Sequence, residues 1–382
     1  MKKNYFLLAA STMMFAACAQ TDMVNEVVTE EAPQAIEFET FTQKATRTTE
    51  NSTGTYDKGL NLHHGDFAVW AYKSTSDVLV FDNAEVETTN YTYTEYGTRY
   101  WDKTADWYEF YAAAPYSTNP AWEFVGNTTD KDKACFKLTD LTLAATNFVG
   151  TTPTTEITEF KGQSGDVDLM IADKCKVVNT YYAGSYKVQL NFIHILSRLN
   201  IIVKKSDTAP DNIKLKSVTV KGINLKGSFN EGLVDANGAG KTGRWTPANT
   251  PVTTTDYKFT SASGYALTEN NDYVLQSFVI PQTVGYEEVK TDGTGLATGS
   301  HKPYVEIIYT VNEEIFKAYY NLAAVFGATS TTDDLNTAKK ENEIAFNEGY
   351  QNTLTITINP ENIQFSGNVA TWANTPGTAT IE

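Results

Sequence analysis

The chain has four histidines, His63, His64, His194 and His301, and none has a partner at metal-ligand spacing. Cys135 and Cys175 lie in no CxxC and beside no histidine, so neither zinc binding nor thiol chemistry is supported. A nucleophile elbow, a P-loop and an HExxH helix are all missing, and no cofactor site is legible. Asp235-Ala236-Asn237-Gly238 opens like a calcium loop, but the twelfth position is Thr246 where a bidentate glutamate is needed, so a Gly/Asn turn is expected instead. Carboxylates are plentiful, yet sequence alone cannot set two of them across a glycosidic bond. These absences point to a structural or binding protein rather than an enzyme. A net charge of −16 with no basic cluster argues against nucleic acid as a partner.

Two residues near the N-terminus carry a different chemistry. Lys2 and Lys3 precede the apolar run Tyr5–Ala17, which is too short for a comfortable span of about 20 residues. The run closes on Phe15-Ala16-Ala17-Cys18, which resembles the lipobox of bacterial lipoproteins, with Cys18 as the lipidated residue. Phe15 departs from the aliphatic residue usual there. Any membrane anchorage would then be through lipid. Arg47 is the first of only four arginines, with Arg99, Arg198 and Arg244, and it stands in the loose stretch FTQKATRTTENSTG. An arginine with few apolar anchors around it is open to a protease.

The elements around these residues read as strands. Tyr, Phe, Thr and Val are abundant, 41% of the chain is hydrophobic and 20% charged, and 382 residues suit two domains. After an acidic tether at 19–35, Ile36-Glu37-Phe38-Glu39-Thr40-Phe41 alternates like a half-buried strand. Phe67–Tyr72 is apolar on both faces and suits a central strand. In the aromatic segment 91–116, Trp101, Trp107, Phe110 and Tyr111 are expected in a core, with an exposed sugar platform as the alternative. Val188, Leu190 and Phe192 alternate on even numbers, whereas Leu199, Ile201 and Val203 alternate on odd ones. Side chains change face at each strand residue, so this phase slip requires a bulge or turn near His194–Arg198. His194 then reads as a satisfied structural residue. Lys204–Asn212 is polar and contains Pro210, which places a boundary at 206/207. Tyr319–Phe326 and Thr337–Ala345 are expected to hold short helices. Each half is a β-rich unit of sandwich size. In an oxidising compartment Cys135 and Cys175 could pair, but two separate thiols are the preferred reading.

Taken in order, several segments resemble the fimbrillin family, the two-domain lipoprotein precursors that build type V pili. They are the lipoprotein signal, the strand Ile36–Phe41 leading into Ala45-Thr46-Arg47, Phe67–Tyr72, Arg99-Tyr100-Trp101, Phe110-Tyr111-Ala112 with Pro115, and Asp168–Ala172. Leu190–Leu199, Gly227-Ser228-Phe229-Asn230, Trp245, Ile280-Pro281-Gln282 and Gly349-Tyr350 continue the series.

The resemblance implies an all-β chain of two transthyretin-like β-sandwich domains, at 48–206 and 207–382, behind a signal peptide at 1–17 and a prosegment at 18–47. It implies an outer-membrane lipoprotein precursor that becomes part of a cell-surface fimbrium with a role in adhesion. A trypsin-like, arginine-specific protease would cut between Arg47 and Thr48, freeing a strand whose apolar residues are Ile36, Phe38 and Phe41. A strand from another copy or a related pilin would fill the groove. The C-terminal tail, with Ile363, Phe365 and Val369 on one face, is a candidate donor; completing its own domain is the equal alternative. Stalk and tip are both compatible, and a surface ligand is a further expected partner. Two other classes remain: a monomeric surface glycan-binding lipoprotein, marked by a ring of solvent-facing Trp and Tyr, and a lipid-anchored hydrolase, marked by carboxylates converging in a cleft.

Overall fold

The phase slip in the sequence is the place where the chain leaves one sheet for another. In the computed structural model, which describes residues 33–42, 66–88, 90–93, 97–116, 122–126, 134–143, 147–149, 168–182, 186–232, 244–248, 257–270, 272–285, 304–322, 343–359 and 363–371, the strand before the slip ends at His194 and the next begins at Ser197. The strands in chain order are β1 Glu37–Thr42, β2 Phe67–Lys73, β3 Ser76–Val86, β4 Trp107–Ala114, β5 Glu123–Val125, β6 Cys135–Thr142, β7 Asn147–Val149, β8 Met170–Ala172, β9 Cys175–Val178, β10 Lys187–His194 and β11 Ser197–Lys205. They continue as β12 Ile213–Lys221, β13 Lys226–Asn230, β14 Trp245–Pro247, β15 Tyr257–Ala266, β16 Asp272–Val279, β17 Gln282–Gly285, β18 Tyr304–Val311, β19 Glu314–Asn321, β20 Glu343–Phe346, β21 Tyr350–Ile358 and β22 Ile363–Thr371.

A seven-stranded sheet runs β1-β10-β8-β4-β2-β3, with β9 also paired to β4. Both of its faces are covered, which is why Phe67–Tyr72 lacks a polar side. Phe67, Val69 and Ala71 enter one buried cluster with Phe81, Phe110 and Phe192; Ala68, Trp70 and Tyr72 enter another with Phe136, Phe229 and Trp245 of the β14-β13-β6-β5 sheet. The first cluster is closed by segments outside the sheet, through Tyr91, Tyr93, Trp101, Ala105 and Tyr182. Trp101 and Tyr182 stack at 4.8 Å. Trp101, Phe110 and Tyr111 are buried and Trp107 half-buried, so the aromatic segment is core.

The third cluster lies between the β16-β11-β21-β22 and β19-β18-β12-β15-β7 sheets. Leu199, Ile201 and Val203 meet Ile356 on one side and Val218, Val220, Phe259 and Ile307 on the other. The chain is thus an all-β sandwich protein. β11 and β7 pair with strands of the second half, so the sheets cross the polar stretch at which the sequence sets its boundary, and the change of sheet comes earlier, at Ile195-Leu196. Residues from Gln34 onward group into one compact unit.

Two expectations need correction. Tyr319–Asn321 and Glu343–Ala345 are strand, not helix: the first pairs with Tyr304–Glu306 in a tight hairpin, the second with Thr283–Gly285. Cross-strand aromatic pairs such as Tyr309 on Phe316, 5.4 Å apart, favour that ladder over a helical turn. The rest of both stretches falls outside the described residues, apart from Leu322. Cys135 and Cys175 are free thiols, as the preferred reading had them: Cys175 packs against the first cluster, whereas Cys135 lies beside Gly232. Burial pushes both thiols upward, Cys175 to about 11, which keeps them protonated and unreactive at neutral pH.

Candidate functional site

β1 is an edge strand with an unusual attachment. It pairs in parallel with β10 through six residue pairs, from Glu37↔Lys187 to Thr42↔Phe192. Its alternation turns Ile36, Phe38 and Thr40 into the core, each 1% exposed, while Glu37 stays in solvent. Phe38 is the centre of the attachment. Its ring meets those of Phe67 at 6.4 Å, Phe81 at 5.6 Å, Tyr93 at 5.8 Å and Phe110 at 5.9 Å, all edge to face. Phe81 belongs to β3, the opposite edge of the sheet. The sheet therefore curls until its two edges share one core, and β1 closes the gap.

The other side of this segment is also held. Ile36 N–H donates to the Arg99 carbonyl at 2.8 Å and Trp101 N–H to the Gln34 carbonyl at 2.9 Å, around an antiparallel bridge between Ala35 and Tyr100. Two tyrosines from the same stretch reach over the strand. The Tyr93 hydroxyl donates to the Ile36 carbonyl at 2.8 Å, and the Tyr91 hydroxyl pairs with Thr40 Oγ1 at 2.9 Å. Desolvation holds the Tyr93 phenol above its ordinary range, so it remains a donor.

Magnitudes rank these contacts. Burying Ile36 and Phe38 contributes about 1.5–3 kcal/mol each, and a tyrosine hydrogen bond about 1 kcal/mol. The Glu37–Lys187 pair, 3.8 Å apart and half-exposed on both sides, is worth roughly 0–1 kcal/mol. Two apolar anchors and a backbone ladder hold the strand. Removing it would bare the β10 edge and an aromatic pocket together.

The sites expected from sequence are placed unevenly. Cys18, Arg47 and Thr48 lie outside the described residues. Phe41 stands opposite Asn191 in β1, with its side chain outside the description, and the inward series is completed by Thr40. Ile363, Phe365 and Val369 lie on β22, an edge strand antiparallel to β21, opposite Ile358, Ile356 and Asn352. Ile363 is half-buried against the third cluster. His194 is buried, with Nδ1 2.6 Å from Asp168 Oδ2. Beside it the Trp245 indole donates to the Ile195 carbonyl at 2.7 Å, which fixes the crossover between sheets.

Of the other arginines, Arg198 is buried and donates to Gln276 Oε1 at 2.7 Å, and Arg244 is buried against Glu348 and the Phe229 ring. Arg99 is exposed, but its carbonyl is bound to Ile36. A protease needs an extended, unpaired backbone, so these three are poor substrates. Among the described residues, no group of three or more His, Cys, Asp or Glu is disposed to hold a metal ion, and no helix is long and apolar enough to cross a membrane.

Sequence reasoning missed the tyrosine latch and the Arg99–Trp101 strap. The Tyr91-Thr92-Tyr93 alternation was a signal for the first; nothing local indicates that the second pairs with Ala35–Ile36.

Comparison with protein families matches residues 46–372 to the family described as fimbrillin-like. No curated protein matches. Among solved structures, a candidate cell adhesion protein from Bacteroides ovatus is 13% identical, with 90% of this chain and 99% of that one covered and a TM-score of 0.50. A candidate cell adhesion protein from Bacteroides uniformis is 17% identical, with 90% and 100% covered and a TM-score of 0.47. The tip fimbrial protein Mfa3 from Porphyromonas gingivalis is 10% identical, with 81% and 95% covered and a TM-score of 0.37. At these identities the likeness concerns the fold alone.

Proposed function

From the premise that this chain belongs to the fimbrillin-like family, a structural family of the cell surface rather than an enzyme class, we propose that it is a stalk or tip subunit of a type V fimbria. It is exported as a lipoprotein anchored through Cys18, cut after Arg47 by a trypsin-like protease, and assembled by donor-strand exchange with other copies or related pilins.

The observation that carries this reading is β1 itself: a short edge strand, ending five residues before Arg47, that plugs an aromatic pocket with two apolar side chains. The covalent link keeps a displaced β1 at high effective concentration, so it returns at once. Cleavage removes that advantage. A released strand then diffuses away, and the bare edge and pocket accept an extended segment whose alternate side chains fit, as in strand addition. The family match begins at residue 46 and so leaves β1 outside it.

The tail supplies a matching segment. Ile363-Gln364-Phe365 repeats the Ile36-Glu37-Phe38 pattern, with the same two apolar residues at the same spacing. Laid along β10 in the β1 register, Ile363 takes the Ile36 position and Phe365 the Phe38 pocket. Losing residues 1–47 takes away six acids and four bases, so the mature subunit stays strongly acidic and assembles through strand pairing against its own charge.

The glycan-binding monomer is less well supported, because Trp70, Trp101 and Trp245 are buried rather than set in a solvent-facing ring. The test is light trypsin treatment of the chain lacking residues 1–17, with Cys18 substituted. The expected result is a new N-terminus at Thr48 followed by heat-stable multimers, with Arg47→Ala blocking both. A cut product that stays monomeric would overturn assembly by this route.

A further inference from the structure

The β19-β18-β12-β15 sheet gives its inner face to the third cluster through Ile213, Leu215, Val218, Val220, Phe259 and Ile307. Alternation sends the intervening residues outward, and these are unlike the rest of an acidic protein. β12 presents Lys214 and Lys221, with Lys216 at a bulge; β15 presents Lys258; β19 presents Lys317. Among the described residues of these strands, the one acid that alternates outward with them is Glu306, and Lys317 lies 2.9 Å from it. The lysines come from three strands, so the charge is gathered by pairing rather than by sequence. Lys214 and Lys221 alone are separated by about 23 Å along their strand.

The same face carries an aromatic step. Tyr319 is 58% exposed, with the Lys317 ammonium 5.0 Å from its ring and the Tyr304 ring 6.1 Å away. Ser217, Thr219 and Thr310, which stand between the lysines in the ladder, are buried and add no charge to the face. Hydrogen bonds to Tyr319 and Glu306 hold Lys317 firmly protonated.

We propose that this outer face is a docking surface for an anionic polysaccharide, a chain of uronate or sulfated sugars. Charge complementarity selects a polyanion in spite of the net charge of −16. The exposed tyrosine beside Lys317 suits a pyranose ring, whose apolar C–H face packs on an aromatic while its acid group meets an ammonium. Fimbrillin-like proteins work at the cell surface, where acidic polysaccharides are the prevailing polyanions. The surface lies on the second sandwich and does not depend on the fate of β1, so it stands or falls separately from strand exchange.

The test uses the uncut full-length chain with heparin as the probe, neutral dextran and single-stranded DNA as comparisons, and titrations at two salt concentrations. The expected result is heparin binding that weakens steeply with salt, no dextran binding, and weaker DNA binding. Combining Lys214→Glu, Lys221→Glu and Lys258→Glu should lower heparin affinity by about tenfold or more and flatten the salt slope. The corresponding glutamines serve if the charge reversal disturbs folding. A control triple on the first half, Lys103→Glu, Lys137→Glu and Lys174→Glu, should change affinity by no more than about twofold. Tyr319→Ala should weaken binding while leaving the slope unchanged. Absence of heparin binding, equal loss in both triples, or tighter DNA binding overturns the proposal. So does lysine-dependent self-association without heparin, which would assign the face to a second copy.

Discussion

Two edge strands in this molecule carry the same Ile-x-Phe pattern and are held in opposite ways. β1 has a short ladder of six pairs, parallel to β10, but each inward side chain is sealed: Phe38 sits among four aromatic rings, and Tyr91 and Tyr93 close over the strand. β22 has the longer ladder, nine antiparallel pairs with β21, yet its first apolar residue, Ile363, is half-buried. One edge is rich in pocket and the other in backbone hydrogen bonds. A ladder can be remade against any strand of suitable length, whereas a pocket accepts only the side chains that fill it. The pocket therefore decides which strand belongs in the first sheet, and under the proposed mechanism β22 is the strand that would leave one ladder for another.

Substitutions can break or sharpen this contrast. The largest effect is expected from Phe38→Ala, which should destabilise the uncut chain by about 3–5 kcal/mol in denaturant unfolding. Because β1 is absent from the mature subunit under the proposed mechanism, the same variant should form multimers of ordinary heat stability. If its multimers melt early, β1 has not left. Phe365→Ala should do the reverse, leaving trypsin cleavage and monomer stability nearly intact while reducing assembly by at least about tenfold, since a lost anchor of about 1.5–3 kcal/mol has that consequence. Tyr93→Phe removes one latch and should speed release of the cut strand about fivefold, from a loss of about 1 kcal/mol, as followed by the disappearance of the 18–47 fragment from the complex. Glu37→Gln should shift unfolding by less than about 0.5 kcal/mol, because the pair with Lys187 is half-exposed. A large effect there would mean that charge, not the pocket, holds β1.

The period-two patterns were readable where a strand has one face in a core and the other toward solvent, and an unbroken apolar run where both faces are covered. Ile36 and Phe38 were legible as a half-buried strand, Phe67–Tyr72 as a central one, and the even-to-odd slip after Phe192 as a break in the ladder. The slip did not say that β10 and β11 belong to different sheets, since alternation records which face is buried and not which neighbour buries it. For the same reason the boundary was read in the polar stretch Lys204–Asn212 although the sheets change at Ile195-Leu196. Tyr319 and Tyr320 suggested a helix because a short aromatic run has no period of its own; the cross-strand partners Glu306 and Val305 decided the matter.

By itself, then, the sequence determined the fold class, the half-buried alternation that starts at Ile36 and the repeat of Ile-x-Phe in the tail, because these follow from local composition and spacing. Only the tertiary structure decided that Phe38 bridges the two edges of one sheet, that Arg99–Trp101 straps the segment ahead of it, that the two cysteines stay apart, and that lysines from β12, β15 and β19 share one face. Each of those is a contact between residues far apart in the chain. Strand pairing sets such contacts, and no local pattern encodes which strands will pair.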